Sequence, residues 1–169
     1  CAALMRESLR PGGGWPLCLA LLVLTAAPAW AGEAETQVLQ IINQARVAMG
    51  CPALMSNPAL TAAAQVQSND MAAKDFFGHV GKDGHRFTYR AKAQGYQYRL
   101  IGENIAAGQK TAQEVARDWL QSPPHRRNIL NCHFLETGIA LTYQADDRPI
   151  DGNPVPLYSY WTQVFGLSK

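Results

Sequence analysis

Gly102-Glu103-Asn104-Ile105-Ala106-Ala107-Gly108 sets a carboxylate and an amide between glycines, ahead of a short apolar run. Glycine lets a backbone approach its neighbour closely or adopt positive φ. The stretch therefore reads as a strand or turn in which Ile105 and Ala106 anchor the chain while Glu103 and Asn104 project into a cleft. A solvent loop is the bland reading of the same residues, and the surrounding segments have to decide between the two.

Those segments are helical before the stretch and strand-like after it. Over 35–49, Val38, Ile41, Ile42, Ala45 and Met49 recur at helical spacing, and Gly50 supplies the stop. Cys51-Pro52-Ala53-Leu54 is a connector. Asn57 as N-cap and Pro58 at the first helical position open a second helix to about Lys74, with Leu60, Ala63, Ala64, Gln67 and Met71 on one stripe. Its many alanines predict close packing against another element. A glycine-punctuated loop around Gly78-His79 leads to a short third helix over 87–94, closed by Gly95. Thr111-Ala112-Gln113-Glu114 is a capping box, and Val115, Trp119 and Leu120 form the buried side of a fourth helix that ends before Pro123-Pro124. Ser122 caps a further helical turn. The segments 138–143 and 157–165 are β-rich and are expected to pair antiparallel across a turn-rich connection. Helices first and strands last predict an α+β fold, most simply a three-layer α-β-α sandwich with a small, mainly antiparallel central sheet.

Of the 169 residues, the first thirty or so form a separate kind of segment. Arg6 and Arg10 precede an apolar run over 17–27, and Ala29-Trp30-Ala31 offers small residues for cleavage near Ala31, which reads as a secretory signal with Met5 as a candidate start. The run is too short to span a bilayer comfortably, and no other stretch approaches spanning length, so no transmembrane span is expected in the remaining single domain over 32–169. Removing two arginines and one glutamate lowers the formal charge from +2 to +1. A nearly neutral domain lacks the clustered basic face that nucleic acid or an anionic membrane needs. Cys51 and Cys132 remain after cleavage. In an oxidising compartment, secreted or periplasmic, they either pair across a long loop or stay as separate buried thiols; neither lies in a CxxC arrangement.

Four histidines are present, of which His79 and His125 sit on the most restrained backbone, one among glycines and one behind two prolines. With Glu103 they make a set suited to zinc or a similar divalent cation with an open position. The same three groups can instead act as general acid and base without a metal. As a bland reading, each histidine is a hydrogen-bonded loop residue. Asn104, Asn128 and Gln163 are amides that either bridge loops or hold a ligand, with a structural role expected for Asn128. Tyr160 and Thr162 alternate with Trp161 and Gln163 along the last strand, so one of its two faces is available to line a cleft.

Phe77-Gly78-His79, Gly102-Glu103-Asn104-Ile105-Ala106, Trp119 followed by Ser122-Pro123-Pro124-His125-Arg126-Arg127-Asn128-Ile129-Leu130, and Tyr160-Trp161-Thr162-Gln163-Val164-Phe165-Gly166 stand in one order. Together they resemble the CAP superfamily of cysteine-rich secretory, antigen 5 and pathogenesis-related proteins, in its bacterial secreted, SCP-like branch, over about residues 36–166. The resemblance implies an α-β-α sandwich with a central cleft, lined in many members by two histidines and two acids that hold a divalent ion. His79 matches the first cleft histidine and Glu103 the acid of the Gly-Glu-Asn motif. The second acid falls at Ser122 and the second histidine at Tyr160, so half of that tetrad is replaced. His125 is similar to the histidine of a bacterial Ser-Pro-Gly-His motif.

The leading expectation is a secreted, monomeric binding module whose cleft, with His79, Glu103, Asn104, His125, Tyr160 and Gln163 as candidate lining, takes a small ligand, a peptide, a lipid or a cell-envelope component. Two alternatives stand beside it: a peptidase-like hydrolase using His79, Glu103 and His125, with or without a metal, and a structural interaction domain of the envelope.

Overall fold

Local signals account for most of the helix boundaries in the computed structural model, which describes residues 32–169. The expected signal segment and its cleavage point lie outside the described residues. Helix α1 (Glu33–Ala48) is followed by a two-residue strand β1 (Met55–Ser56) and by α2 (Pro58–Ala73), whose N-cap Asn57 accepts from the amides of Ala59 and Leu60. Short α3 (Phe87–Ala93) leads into β2 (Tyr98–Ala107). The Thr111–Glu114 capping box opens α4 (Ala112–Gln121), and Pro123 begins α5 (Pro123–Ile129). Strands β3 (Glu136–Tyr143) and β4 (Ser159–Ser168) close the order. The opening stretch is thus a strand and not a loop. β1 was not foreseen: two residues carry no periodicity, and its pairing with Glu136 and Thr137 comes from the far end of the chain.

The four strands lie in the order β1-β3-β4-β2, antiparallel for β3-β4 and β4-β2 and parallel for β1-β3. Because side chains alternate across a strand, β4 sends Trp161 and Phe165 to one face and Tyr160 and Val164 to the other. The first pair joins Val38 and Ile42 of α1, Val115 and Trp119 of α4 and Ile129 of α5 in one core. On the opposite face Val164 packs with Leu60, Ala63 and Ala64 of α2 and Ala91 of α3, while Tyr160 meets Met71. Three layers result. The alanines of α2 allow the close packing expected of them, and Gly138 of β3 completes it: a Cβ there would collide with the backbone of Leu60 and Thr61.

Arg46 corrects the simple reading of α1. Met49, placed on the apolar stripe by spacing, is 61% exposed, whereas the Arg46 side chain is fully buried. Its Nε donates to the carbonyl of Pro52, its Nη1 to those of Ile129 and Asn131, and its Nη2 to that of Phe134. A guanidinium in a cage of carbonyls ties α1 to the end of α5 and the loop into β3. The adjacent Cys51–Cys132 disulfide, with Cα atoms 4.9 Å apart, closes the same junction.

Candidate functional site

Glu103 and Asn104 are neighbours in β2, so alternation sends their side chains to opposite faces of the sheet, and the expectation that both project into one cleft is corrected on that ground. Glu103 is opposite Val164 in the register and faces the α2/α3 side; Asn104 is opposite Gln163 and faces the α5 side. There Asn104 is fully buried, donating to the carbonyl of His125 and accepting from Asn128, which also donates to the Glu103 carbonyl. These amides lock α5 onto β2. Gln163, also buried on that side, donates to Thr137.

The chemistry concentrates around Glu103. Its carboxylate is fully buried; Oε1 lies 2.8 Å from His79 Nδ1, and Oε2 accepts from Arg90 at 2.8 Å. The His79 side chain remains 44% exposed, so one edge of the imidazole is bolted to the interior and the other faces solvent. Two features hold the loop that carries it. Gln67 of α2, fully buried, donates to the carbonyl of Gly78. Arg90 of α3, 5% exposed, donates to the carbonyls of His79 and His85 as well as to Glu103. Buried charge of this kind persists only where it is paired, and here the two Nη groups make the pairing contacts, while the buried Nε has no hydrogen-bond partner among the described residues. Sequence reading passed over Arg90. The available signal was its position on the buried stripe of α3, between Phe87 and Ala91, where a solvent-facing arginine does not belong.

A groove of about 410 Å³ opens beside His79, lined by Asp75, Phe76, Phe77, Gly78, Val80, Lys82, Ile150 and Asp151. Phe77 and Val80 are exposed in it, at 46% and 43%. A larger depression, about 690 Å³, runs along α1 past Leu39, Asn43 and Val47, but no titratable side chain among the described residues lines it. Shape alone would favour the latter; the groove at His79 is the one that meets the Glu103–His79–Arg90 cluster.

His125, on α5, lies within electrostatic reach of His79. Burial holds its imidazole below the ordinary value, and the charge of His79 lowers it further. Its Nδ1 is buried with no hydrogen-bond partner among the described residues. Tyr160 is fully buried and donates to both carboxylate oxygens of Asp147, which also accepts from the amides of Leu157 and Tyr158. Burial first, and then the hydrogen bond to Asp147 and that carboxylate's charge, push its phenol upward. Tyr160 therefore braces the β3-β4 connection from inside the protein. Ser122 ends α4 and begins α5.

This donor set does not fit a divalent ion. Both oxygens of Glu103 are engaged, and the Tyr160 hydroxyl is committed to Asp147. Among the described residues no three or more His, Cys, Asp or Glu side chains converge as metal ligands. Of the expected set of His79, His125 and Glu103, His79 and Glu103 touch, and His125 makes no hydrogen bond to either among the described residues.

The profile of the cysteine-rich secretory protein family matches residues 39–165. This chain belongs to that family. As a CAP-domain protein it is 33% identical over 141 residues to YkwD, an uncharacterized protein of Bacillus subtilis, covering 83% of this chain and 50% of that relative. The CAP chain thus spans about half the length of a curated relative it matches. An extracellular protein of Bacillus anthracis containing an SCP domain superposes with a TM-score of 0.67 at 24% identity, over 80% of this chain and 41% of that one. An outer surface protein of Borrelia burgdorferi gives 0.71 at 18%, over 82% and 95%. At such identities the two structures establish the fold. No helix among the described residues of this CAP domain is long and apolar enough to cross a membrane.

Proposed function

We propose that this CAP domain is an exported binding module whose site is the groove beside His79, taking a small ligand of peptide or cell-envelope origin. The observation that carries the reading is a half-exposed imidazole held by a buried carboxylate and guanidinium at the wall of a groove with exposed Phe77. Binding sites combine apolar lining with a few fixed polar groups, and only a fixed group confers orientation. Export is supported by the extracellular and outer-surface relatives and by the Cys51–Cys132 disulfide. The test is a binding screen by NMR shift perturbation against short peptides, envelope glycan fragments and fatty acids. Any hit should weaken at least tenfold in His79→Ala and in Phe77→Ala. A hit that retains its affinity in both variants places the site elsewhere.

The His79–Glu103 contact also supports a second reading, metal-free hydrolysis with His79 as general base toward water. It predicts slow turnover of peptides that His79→Asn abolishes; retention of that turnover in His79→Asn rules it out.

A further inference from the structure

Arg90 touches the groove only through other residues, yet it constrains the hydrogen atom that matters most there. Its Nη2 donates at 2.8 Å to Oε2 of Glu103, a carboxylate with no solvent exposure. A guanidinium has no acceptor and is always charged, so a carboxyl group facing it at this distance is held as the anion. An anionic carboxylate accepts at both oxygens. Oε1 therefore accepts from the atom 2.8 Å away, His79 Nδ1, which must carry the hydrogen. In the neutral ring the second nitrogen, Nε2, is then the acceptor. The two carbonyl contacts from Arg90, to His79 at 3.2 Å and to His85 at 3.0 Å, hold the loop so that this pairing does not swing away.

We infer that Arg90 acts as a positioning residue which, through Glu103, fixes His79 as the Nδ1-protonated tautomer, so that His79 presents a hydrogen-bond acceptor to the groove and the ligand atom meeting it is a donor. A peptide N–H or a hydroxyl satisfies that contact; a carbonyl or carboxylate oxygen does not. The identity of the ligand group rests on the groove being the site, whereas the tautomer does not.

Long-range ¹H–¹⁵N spectra of labelled protein, taken where the ring is neutral and assigned by loss of signal in His79→Asn, separate protonated from unprotonated ring nitrogens. The expected result is one species with hydrogen on Nδ1. An Nε2-protonated ring, or an average of both forms, overturns the inference without any variant. Arg90→Gln should convert the single form into a mixture, and an unchanged spectrum from the folded variant removes Arg90 from the account. Arg90→Lys serves if Arg90→Gln does not fold: one ammonium cannot span Oε2 and two carbonyls, so the same mixture is expected and the same constancy overturns it. For the ligand, a capped dialanine amide is compared with its fully N-methylated form. The first should shift the Nε2 resonance at concentrations at least tenfold lower than the second. Equal shifts overturn the donor requirement. No shift from either, with the tautomer as expected, counts against the groove as a peptide site and leaves the tautomer standing.

Discussion

Glu103 and Asn104, joined by one peptide bond, serve opposite sides of the sheet: the carboxylate holds His79 and Arg90, and the amide holds α5. Their substitutions should therefore separate. Asn104→Ala leaves buried partners unsatisfied and is expected to cost about 1–3 kcal/mol in chemical denaturation, while the ring signals of His79 stay in place. Glu103→Gln should move those signals. An Asn104→Ala protein whose His79 signals shift as far as those of Glu103→Gln contradicts the separation.

Arg46 is a buried polar junction with four carbonyl partners and no carboxylate among them. Arg46→Met fills comparable volume and strands those carbonyls. A loss of about 3 kcal/mol or more is expected from urea midpoints, and a loss below about 1 kcal/mol would show that solvent replaces the cage.

Gly138 and Gly78 offer a paired steric test. A Cβ at Gly138 meets the backbone of α2, which cannot rotate aside, while one at Gly78 comes no nearer than 3.9 Å. Gly138→Ala should lose about 1–3 kcal/mol or fail to fold; Gly78→Ala should stay within about 0.5 kcal/mol of the parent. Comparable thermal midpoints for the two would refute the close approach of α2 to β3.

Opening the disulfide releases a separation of 81 residues. The chain-entropy relation gives about 4–5 kcal/mol for a loop of this length. The double substitution Cys51→Ser with Cys132→Ser should show a loss of that order in guanidinium unfolding, and a loss under about 1 kcal/mol would indicate that the Arg46 cage already restrains the junction.

His125 sets an acid dependence. Burial and the His79 charge place its folded value below the ordinary 6.5, so the unfolded chain binds more protons in that window. Stability from this group is present above about pH 6.5 and falls as the pH drops toward the folded value. His125→Gln should flatten the change in unfolding free energy between about pH 7 and pH 5; an unaltered slope would assign the dependence to other groups.

Much of this was legible residue by residue. Asn57-Pro58, the Thr111–Glu114 box and Gly50 mark helix ends because capping is a contact within a few residues of itself. The alternation of Trp161 with Tyr160 gave the two faces of β4 for the same local reason. Arg90 and Arg46 were not legible, since a charged side chain in a helix reads as solvent-facing until its partners, 13 residues away at Glu103 and more than 80 away at Ile129, are known.

By itself, then, the amino-acid order determined the helices, the strand pair, the α-β-α layering and a short set of candidate residues, because each depends on spacing along the chain. Tertiary structure alone decided which candidates meet. It placed Glu103 with His79 and Arg90, set Asn104 and Gln163 behind the sheet, buried Tyr160 against Asp147, and set the His125 carbonyl against Asn104. The physical reason is that burial and pairing of charge depend on distance through space, and β2 brings α3 and the His79 loop together only once the sheet has formed.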